Sequence, residues 1–198
     1  MKKNLSSYSD NELVEMLRKG KPDSDWAFTE IYDRYALRVN AYCRTILQNR
    51  ESAEDVFQET FIRFYQNVQS DFRNGTLVGF LITIARNLCL NYKRNTKANL
   101  PIEDFDFPIS ENTDIEDKEL TDLIMMSFEL LEPDTKEILI MRVFNYLSYN
   151  EISDILGITA ARARYLVFNA KDKIKNTLLP YMKEIGYVSS EKFEKDYK

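Results

Sequence analysis

Arg162, Tyr165 and Asn169 recur at steps of three and four residues near the end of the sequence. On an α-helix this spacing places all three side chains on one face. An Arg guanidinium can make two hydrogen bonds to guanine, and an Asn amide can make two to adenine. The spacing therefore predicts a helix that presents base-reading groups on one side and packs on a core through the other, with the apolar residues Ala163, Val167, Ala170, Ile174 and Leu178.

The segment from Ser148 to Thr177 places this helix second in a pair. Ser148 and Glu151 have the spacing of a capping box, which opens a short helix that Gly157 ends. A three-residue turn, Gly157 to Thr159, leads into the longer helix. A short helix, a tight turn and a longer helix form the helix-turn-helix arrangement that sets a recognition helix in the major groove. A helical hairpin with a solvated outer face is the alternative, and the outward positions of Phe168 and Asp172 favour it.

A second polar stripe lies on a helix predicted from about Leu77 to Asn95, where Thr83, Asn87, Asn91 and Arg94 recur every three or four residues. Amides can bind base edges and guanidinium groups can hold phosphates. The loop before this helix can form a pocket for one unstacked base. A solvated helix face would show the same pattern. The candidate nucleic-acid residues of this region are Asn74, Gly75, Thr76, Arg86, Asn87, Asn91 and Arg94.

A third cluster is acidic and lies on a helix for which Ser52 is the predicted N-cap. Its members are Glu54, Asp55, Gln58 and Glu59. Acidic groups near a helix N-terminus stabilise the helix by roughly 0.3 to 1 kcal/mol each. The same face could also bind a basic protein surface, and composition alone does not choose between these interpretations.

Helical periodicity positions these clusters in two small all-α domains. Ser9 and Glu12 predict a capping box and a first short helix, and Pro133 is placed at the first position of a later helix with Phe144 facing inward. The last long helix is predicted to end before Pro180. We predict an N-terminal extension at 1–24, a first domain at 25–96, an acidic linker at 97–116, a helix-turn-helix domain at 117–182 and a tail at 183–198.

The charge distribution agrees with this division. The net charge is −5, but residues 99–134 contain twelve acidic residues and one Lys, so the flanking domains are mildly basic. Basic surfaces are typical of nucleic-acid-binding domains. There is no His, no Gly-rich phosphate loop and no nucleophile beside a base, so we expect neither an enzyme nor a cofactor.

Cys43 and Cys89 stand inside apolar helical patterns, so we predict buried free thiols rather than a disulfide or a metal site. The start of the chain has no secretion signal, and no apolar run is long enough for a membrane span. We therefore expect a cytoplasmic protein without membrane insertion.

In its first half the chain resembles the extracytoplasmic function sigma factors, a group of the sigma-70 family. The stretch Asp25 to Arg94 is similar to the family's second-region domain, including the segments Ser52 to Phe61 and Phe80 to Asn87. The resemblance implies that the helix holding Glu54 to Phe61 docks on core RNA polymerase. It also implies that the helix from Arg86 to Arg94 and the loop before it read the promoter minus-ten element.

The second half, Leu120 to Leu179, resembles the family's fourth-region domain, including Leu131 to Pro133 and Tyr149 to Ile158. The resemblance implies a helix-turn-helix that reads the duplex minus-thirty-five element, an anti-sigma protein as a further partner, and a linker that threads toward the RNA exit path. By this resemblance, the candidate residues of the minus-thirty-five site are Arg162, Arg164, Tyr165 and Lys171.

The chain departs from the family pattern at several positions. Phe80 stands where Trp is usual, Asn91 where Asp is frequent, and Leu166 and Asn169 where Arg is common. Fewer cations on the recognition helix predict weaker phosphate contacts. The competing function is a transcription regulator that keeps the helix-turn-helix and does not bind polymerase. A measurement of binding to core polymerase distinguishes this function from that of a sigma factor.

Overall fold

The computed structural model describes residues 5–68, 72, 75–96 and 123–184. Regular structure in these ranges is entirely helical, which confirms the predicted all-α class. The predicted linker at 97–116 lies outside the described residues, as does the tail beyond residue 184. The helices are α1 (Asp10–Leu17), α2 (Asp23–Leu47), α3 (Arg50–Asn67), α4 (Leu77–Asn95), α5 (123–129), α6 (Pro133–Val143), α7 (Tyr149–Leu156) and α8 (Ala160–Glu184).

Local side-chain chemistry sets most helix starts, as the sequence predicted. Both capping boxes form: Ser9 accepts from the amide of Glu12, and Ser148 accepts from the amide of Glu151. Each Glu carboxylate accepts in return from the backbone N–H of its Ser. Pro133 begins α6, where its missing N–H costs no helical hydrogen bond.

The predicted N-cap of α3 is wrong. Asn49, not Ser52, is the N-cap: its backbone is extended, with φ −141° and ψ 125°. The Asn49 side-chain oxygen accepts from the Ser52 amide at 2.8 Å. Ser52 lies buried within the first turn, and its hydroxyl donates to the hydroxyl of Tyr92 on α4 at 2.7 Å. Both residue types cap well, and the extended backbone at Asn49 decides between them.

Two further helix predictions are corrected near α6 and α8. Phe144 is not a core residue: it caps the C-terminus of α6 and is 40% exposed, whereas Asn145 and Leu147 beyond it are buried. Helix α8 does not stop before Pro180 but continues to Glu184. Only one turn of α8 follows Pro180, so the hydrogen bond that proline removes and its crowding of the carbonyl four residues earlier affect only the end of the helix.

The first module, α1 to α4, is built around α2. Helices α1, α3 and α4 all pack on α2. The largest fully buried side chains include Leu13, Ile31, Tyr42, Phe64 and Leu81. Helix α1 contributes four buried residues to this core, so the segment predicted as an extension packs as part of the module.

Cys43 and Cys89 meet within the core of the first module as buried free thiols, as predicted. A hydrogen bond to Cys89, together with burial, raises the pKa of the Cys43 thiol well above its ordinary value. The two cysteines therefore act as small apolar core residues.

The second module consists of α5 to α8. Helices α6 and α7 pack on α8, and Ile140, Met141, Ile152, Ala163 and Val167 are buried between them. Among the described helices, none is sufficiently long and apolar to cross a membrane.

Candidate nucleic-acid interface

The helix-turn-helix is fixed by hydrogen bonds within its own turn. Gly157 ends α7 with φ +67°, a left-handed conformation that glycine adopts without steric cost. The hydroxyl of Ser153 donates to the carbonyl of Ile158 at 2.7 Å. The hydroxyl of Thr159 accepts from the amide of Arg162 at 3.1 Å. These bonds hold the angle between α7 and α8, so the outer face of α8 is a rigid surface.

That outer face carries the residues predicted to read bases. Ala163, Val167 and Ala170 are buried, which confirms the predicted apolar side of α8, whereas Arg162 and Tyr165 are exposed on the other side. The Arg162 guanidinium carbon lies 5.4 Å from the centre of the Tyr165 ring. This cation–π interaction keeps two of the predicted base-reading side chains next to each other. Phe168 and Asn169 are also exposed on this side, whereas Lys171 is exposed on the side of α8 that carries Arg164, seven residues earlier.

Arg164 differs from Arg162 because it lies against α7. Its guanidinium carbon is 5.2 Å from the centre of the Tyr149 ring. Arg142 approaches the same ring at 4.7 Å. Tyr149 therefore holds two guanidinium groups at the N-terminus of α7. Arg142 was not predicted as a site residue, and its position at the end of α6 gave no periodic signal.

The stripe on α4 is only partly exposed. Asn87, Asn91 and Arg94 are exposed together, and Arg94 donates to the Asn91 side-chain oxygen at 3.1 Å. The Thr83 hydroxyl instead donates to the carbonyl of Gly79 at 2.8 Å, within the helix. Arg86 does not lie free beside the stripe, because its Nε donates to Glu137 of the second module at 2.9 Å.

The loop before α4 is described only in part. Asn74 lies outside the described residues, and Gly75 has φ +95°, a backbone conformation that favours glycine. Thr76 is the N-cap of α4 and accepts from the amide of Gly79. Its hydroxyl also donates to the carboxylate of Glu151 on α7.

The acidic cluster lies along the outer side of α3, where Glu54, Asp55 and Gln58 are exposed. Gln58 donates to Glu54 at 3.2 Å. Glu59 is half-buried and forms an ion pair with Arg63 at 2.7 Å. Asp55 and Glu54 therefore supply most of the negative charge that this face presents.

The contact between the aromatic rings of α2 and α3 was not predicted from the sequence. Rings from α2 and α3 contact one another in a continuous band, and the centroids of Tyr32 and Phe61 are 4.8 Å apart. Tyr32 and Tyr65 remain partly exposed in this band. Aromatic residues repeating every four positions on both helices were the signal. The band comprises Phe28, Tyr32, Phe57, Phe61 and Tyr65.

No group of three or more His, Cys, Asp and Glu side chains within the described ranges is arranged to hold a metal ion.

Two family models match the chain in the order of its two modules. Residues 31–99 match the sigma-70 region 2 family, and residues 121–174 match the sigma-70 region 4 family. Together these matches cover more than half of the chain.

Curated relatives match across both modules. The chain is 29% identical to the ECF RNA polymerase sigma-E factor of Haemophilus influenzae, over 88% of this chain and 97% of that protein. It is 28% identical to RNA polymerase sigma factor CarQ of Myxococcus xanthus, over 83% of this chain and 95% of that protein.

The fold has a counterpart among solved structures. The sigma factor RpoE of Bartonella quintana, solved in complex with the anti-sigma factor NepR, superposes with a TM-score of 0.63 at 18% identity. The superposition covers 76% of this chain and 96% of that one. With both regions present in order and relatives that span both modules, the chain belongs to the sigma-70 family of RNA polymerase sigma factors, in its extracytoplasmic function group.

Proposed function

We propose that this sigma factor binds core RNA polymerase through α3, reads the minus-ten element with α4 and reads the minus-thirty-five element with α8. The observation that carries the proposal is the joint exposure of Asn87, Asn91 and Arg94 on one face of α4. An amide pair beside a cation suits recognition of bases next to a phosphate chain. The helix-turn-helix in the second module supports a separate role at intact duplex DNA.

At the minus-ten element, Asn87 is the proposed base contact. Arg94 and Asn91 are already hydrogen-bonded to each other, so they can present one amide and one guanidinium in a fixed geometry. Gly75 and Thr76, with Asn74, are proposed to border the position of an unstacked base. Arg86 is proposed as a phosphate contact that becomes available once its bond to Glu137 opens.

At the minus-thirty-five element, Arg162 and Tyr165 are proposed to enter the major groove. Lys171 lies further along α8 and is proposed as a phosphate contact. Arg164 is proposed to contact the backbone near the start of α7, because its stacking on Tyr149 keeps it beside that helix.

Polymerase docking is assigned to Glu54, Asp55, Gln58 and Glu59. The exposed carboxylates of Glu54 and Asp55 suit a basic surface on the partner, and charge complementarity of this kind raises both specificity and association rate. We further propose that the chain catalyses no reaction itself, acts in the cytoplasm and is held inactive by an anti-sigma protein. The solved relative bound to an anti-sigma factor motivates the last point.

The test is transcription in vitro with core RNA polymerase and a genomic fragment library. We expect discrete transcripts that share two upstream elements, and retention of the chain on core polymerase. Retention on DNA without any binding to core polymerase would contradict the proposal and support a stand-alone regulator.

A single substitution then tests the minus-ten assignment. Asn87→Ala should lower transcription and relax base preference at one minus-ten position, since one base contact is worth about 1 to 3 kcal/mol. Asn176→Ala is the matched control. Asn176 is an exposed Asn on α8 that donates to Asp172 of that helix, and it lies outside the proposed minus-ten site. An Asn87→Ala protein with unchanged base preference would remove Asn87 from the minus-ten site.

A further inference from the structure

Helix α1 contacts both α2 and the loop that precedes α4. Four side chains of α1 are buried in the core of the first module, where α1 packs along α2. The loop before α4 spans residues 69–76, between the end of α3 and the start of α4. Gly75 and Thr76, at the end of this loop, belong to the proposed minus-ten site. Helix α1 is therefore placed to influence a loop that is proposed to bind DNA.

The N-terminal end of α1 is held on α2 by side-chain hydrogen bonds. The Tyr35 hydroxyl donates to the carboxylate of Asp10, in the first turn of α1, at 2.5 Å. The Arg34 guanidinium donates to the Leu5 carbonyl at 3.0 Å and to the Ser6 carbonyl at 3.2 Å, in the segment that leads into α1. These bonds fix the position of α1 relative to α2.

The C-terminal end of α1 contacts the loop through Arg18, the C-cap residue. Its Nη1 donates to the Glu15 carboxylate at 2.6 Å, and its Nη2 donates to the Phe72 carbonyl at 3.4 Å. The first bond is an ion pair that orients the guanidinium. The second bond is long, so it depends on that orientation. Val14 and Phe72 line the cleft beside Arg18. Arg18 thus connects α1 to the backbone of the loop.

The side chain of Phe72 is anchored separately, by other aromatic rings. Phe72 is only 8% exposed although it lies in a loop. The centre of its ring is 5.5 Å from that of Phe80 on α4, and Phe80 is 6.2 Å from Phe64 on α3. These contacts fix the ring, but they do not set the direction in which the chain leaves Phe72. The hydrogen bond from Arg18 to the Phe72 carbonyl supplies that restraint.

The far end of the loop is fixed by helix capping. The Thr76 hydroxyl accepts from the amide of Gly79 at 3.2 Å. Only three residues, 73–75, separate Phe72 from Thr76 in the sequence. Fixing both ends of a segment this short restricts the conformations that are open to it. A loop that is restricted before DNA arrives loses less conformational entropy on binding, and this strengthens binding.

We propose that Arg18 is a positioning residue of the minus-ten site, and that it holds the loop before α4 in the conformation that receives an unstacked base. This inference rests on the proposed function, because the end of the loop belongs to the proposed minus-ten site. Arg18 acts through the backbone of Phe72 and does not contact DNA itself. Helix α1 thereby contributes to base recognition from outside the residues that touch the base.

The first experiment measures the state of the loop without DNA or polymerase. Arg73 directly follows Phe72 in the sequence, so trypsin can cut the loop at that bond. Arg18→Gln should speed cleavage after Arg73 several-fold, because cleavage requires the segment to leave its folded conformation. Lys19→Gln is the matched control, since it removes the same charge and one trypsin site at the next residue, which is exposed. It should leave the cleavage rate unchanged.

The second experiment measures the affinity of the holoenzyme for a single-stranded oligonucleotide carrying the minus-ten sequence obtained from the transcription experiment. Arg18→Gln should weaken binding roughly fivefold, the usual effect of one lost hydrogen bond. It should also relax base preference at one minus-ten position. Arg18→Lys keeps a donor and the charge, so it should restore part of the affinity and part of the base preference. Lys19→Gln should retain both.

Glu15→Ala separates positioning from a general effect of charge. This substitution removes the carboxylate that orients Arg18, and it also removes a negative charge from α1. A general charge effect would tighten binding to the negatively charged oligonucleotide. Loss of the Arg18 orientation should instead weaken binding and speed cleavage after Arg73, as in Arg18→Gln. Glu15 is exposed, so Glu15→Ala serves as the test if Arg18→Gln loses helical content.

The outcomes that would overturn the proposal are distinct. Unchanged cleavage after Arg73 in a folded Arg18→Gln protein would show that Arg18 does not hold the loop. Faster cleavage with unchanged base preference would show that the held conformation does not serve base recognition. Equal weakening on all sequences, with the salt dependence reduced by about one counterion, would make Arg18 a phosphate contact instead. Failure of the unmodified holoenzyme to bind the oligonucleotide would count against the proposed function, whereas the cleavage rates test Arg18 without DNA.

Discussion

At the scale of single residues, one part-buried pair of hydroxyl groups joins two consecutive helices of the first module. The hydroxyl of Ser52 donates to that of Tyr92 at 2.7 Å, which ties the start of α3 to the end of α4. These two helices carry the proposed polymerase and minus-ten surfaces. Their relative position therefore depends in part on one hydrogen bond between two side chains.

Removing that hydrogen bond should destabilise the protein measurably. Ser52→Ala should lower the free energy of unfolding by about 1 kcal/mol, the usual net contribution of such a bond. Combined with Tyr92→Phe, the loss should be smaller than the sum of the two single losses, because both variants remove the same interaction. Urea denaturation measures this, with the exposed Tyr181→Phe as control. Strictly additive losses would show that the two hydroxyls do not interact.

At the scale of helices, the sequence predicted caps and turns that are formed by neighbouring residues. It did not predict features that depend on backbone conformation or on distant contacts. Both capping boxes and the Gly157 turn were predicted because the partners lie within a few residues of each other. The N-cap of α3 was missed because Asn49 and Ser52 are both good caps, and only the backbone conformation distinguishes them.

The same distinction applies to the residues of the candidate site, some of which were predictable from the sequence and some of which were not. Exposure of Arg162, Tyr165 and Asn87 follows from helical periodicity and was predicted. The engagement of Arg86 by Glu137 was not, because the two residues are 51 positions apart and neither interrupts a periodic pattern. Contacts between modules depend on how the surfaces of two folded modules pack together. The spacing of residues within one helix carries no information about that packing.

The capping carboxylates make helix stability dependent on pH. Hydrogen bonds from Ser9 lower the pKa of Glu12. Burial raises the pKa of Glu151, but hydrogen bonds from Ser148 and Thr76 lower it by more. Because both folded pKa values lie below the unfolded value of about 4.3, the contribution is complete at neutral pH and is lost as pH falls through the folded values.

Glu12→Gln should therefore be less stable than the unmodified chain at pH 7, and the difference should shrink as pH falls below the ordinary Glu pKa of about 4.3. Ser9→Ala removes the donor and should lose the same pH-dependent part. Urea denaturation across this pH range gives the comparison. A difference that stayed constant with pH would mean that ionisation of Glu12 does not contribute to the cap.

Helix α3 offers a test of polymerase docking with an internal control. Asp55→Lys should weaken binding to core polymerase by a few kcal/mol, because it places a like charge against a basic surface. Asp33→Lys reverses a charge at an exposed position on α2, away from the proposed face on α3. Affinity for core polymerase, measured by fluorescence anisotropy, should fall only for Asp55→Lys. Equal losses in both variants would indicate a general charge effect and not a docking face.

At the scale of the whole molecule, the two modules divide promoter recognition between melted and duplex DNA. Exposed amides on α4 suit unpaired bases, while the rigid outer face of α8 suits an intact major groove. Separate roles for the modules imply that substitutions in one should leave the other's step intact.

Arg162→Ala should reduce transcription from duplex promoters and change base preference at one minus-thirty-five position, at a cost of about 1 to 3 kcal/mol. It should leave transcription from a premelted template without a minus-thirty-five element nearly unchanged. Lys171→Ala should instead weaken binding to all duplex sequences alike, because a phosphate contact carries no sequence information, and should reduce the salt dependence by about one counterion. Holoenzyme binding and transcription on paired duplex and premelted templates at several salt concentrations measure all three effects. If Arg162→Ala impaired the premelted template as strongly as the duplex, α8 would have to contribute after strand separation, and the separation of roles between the modules would be wrong.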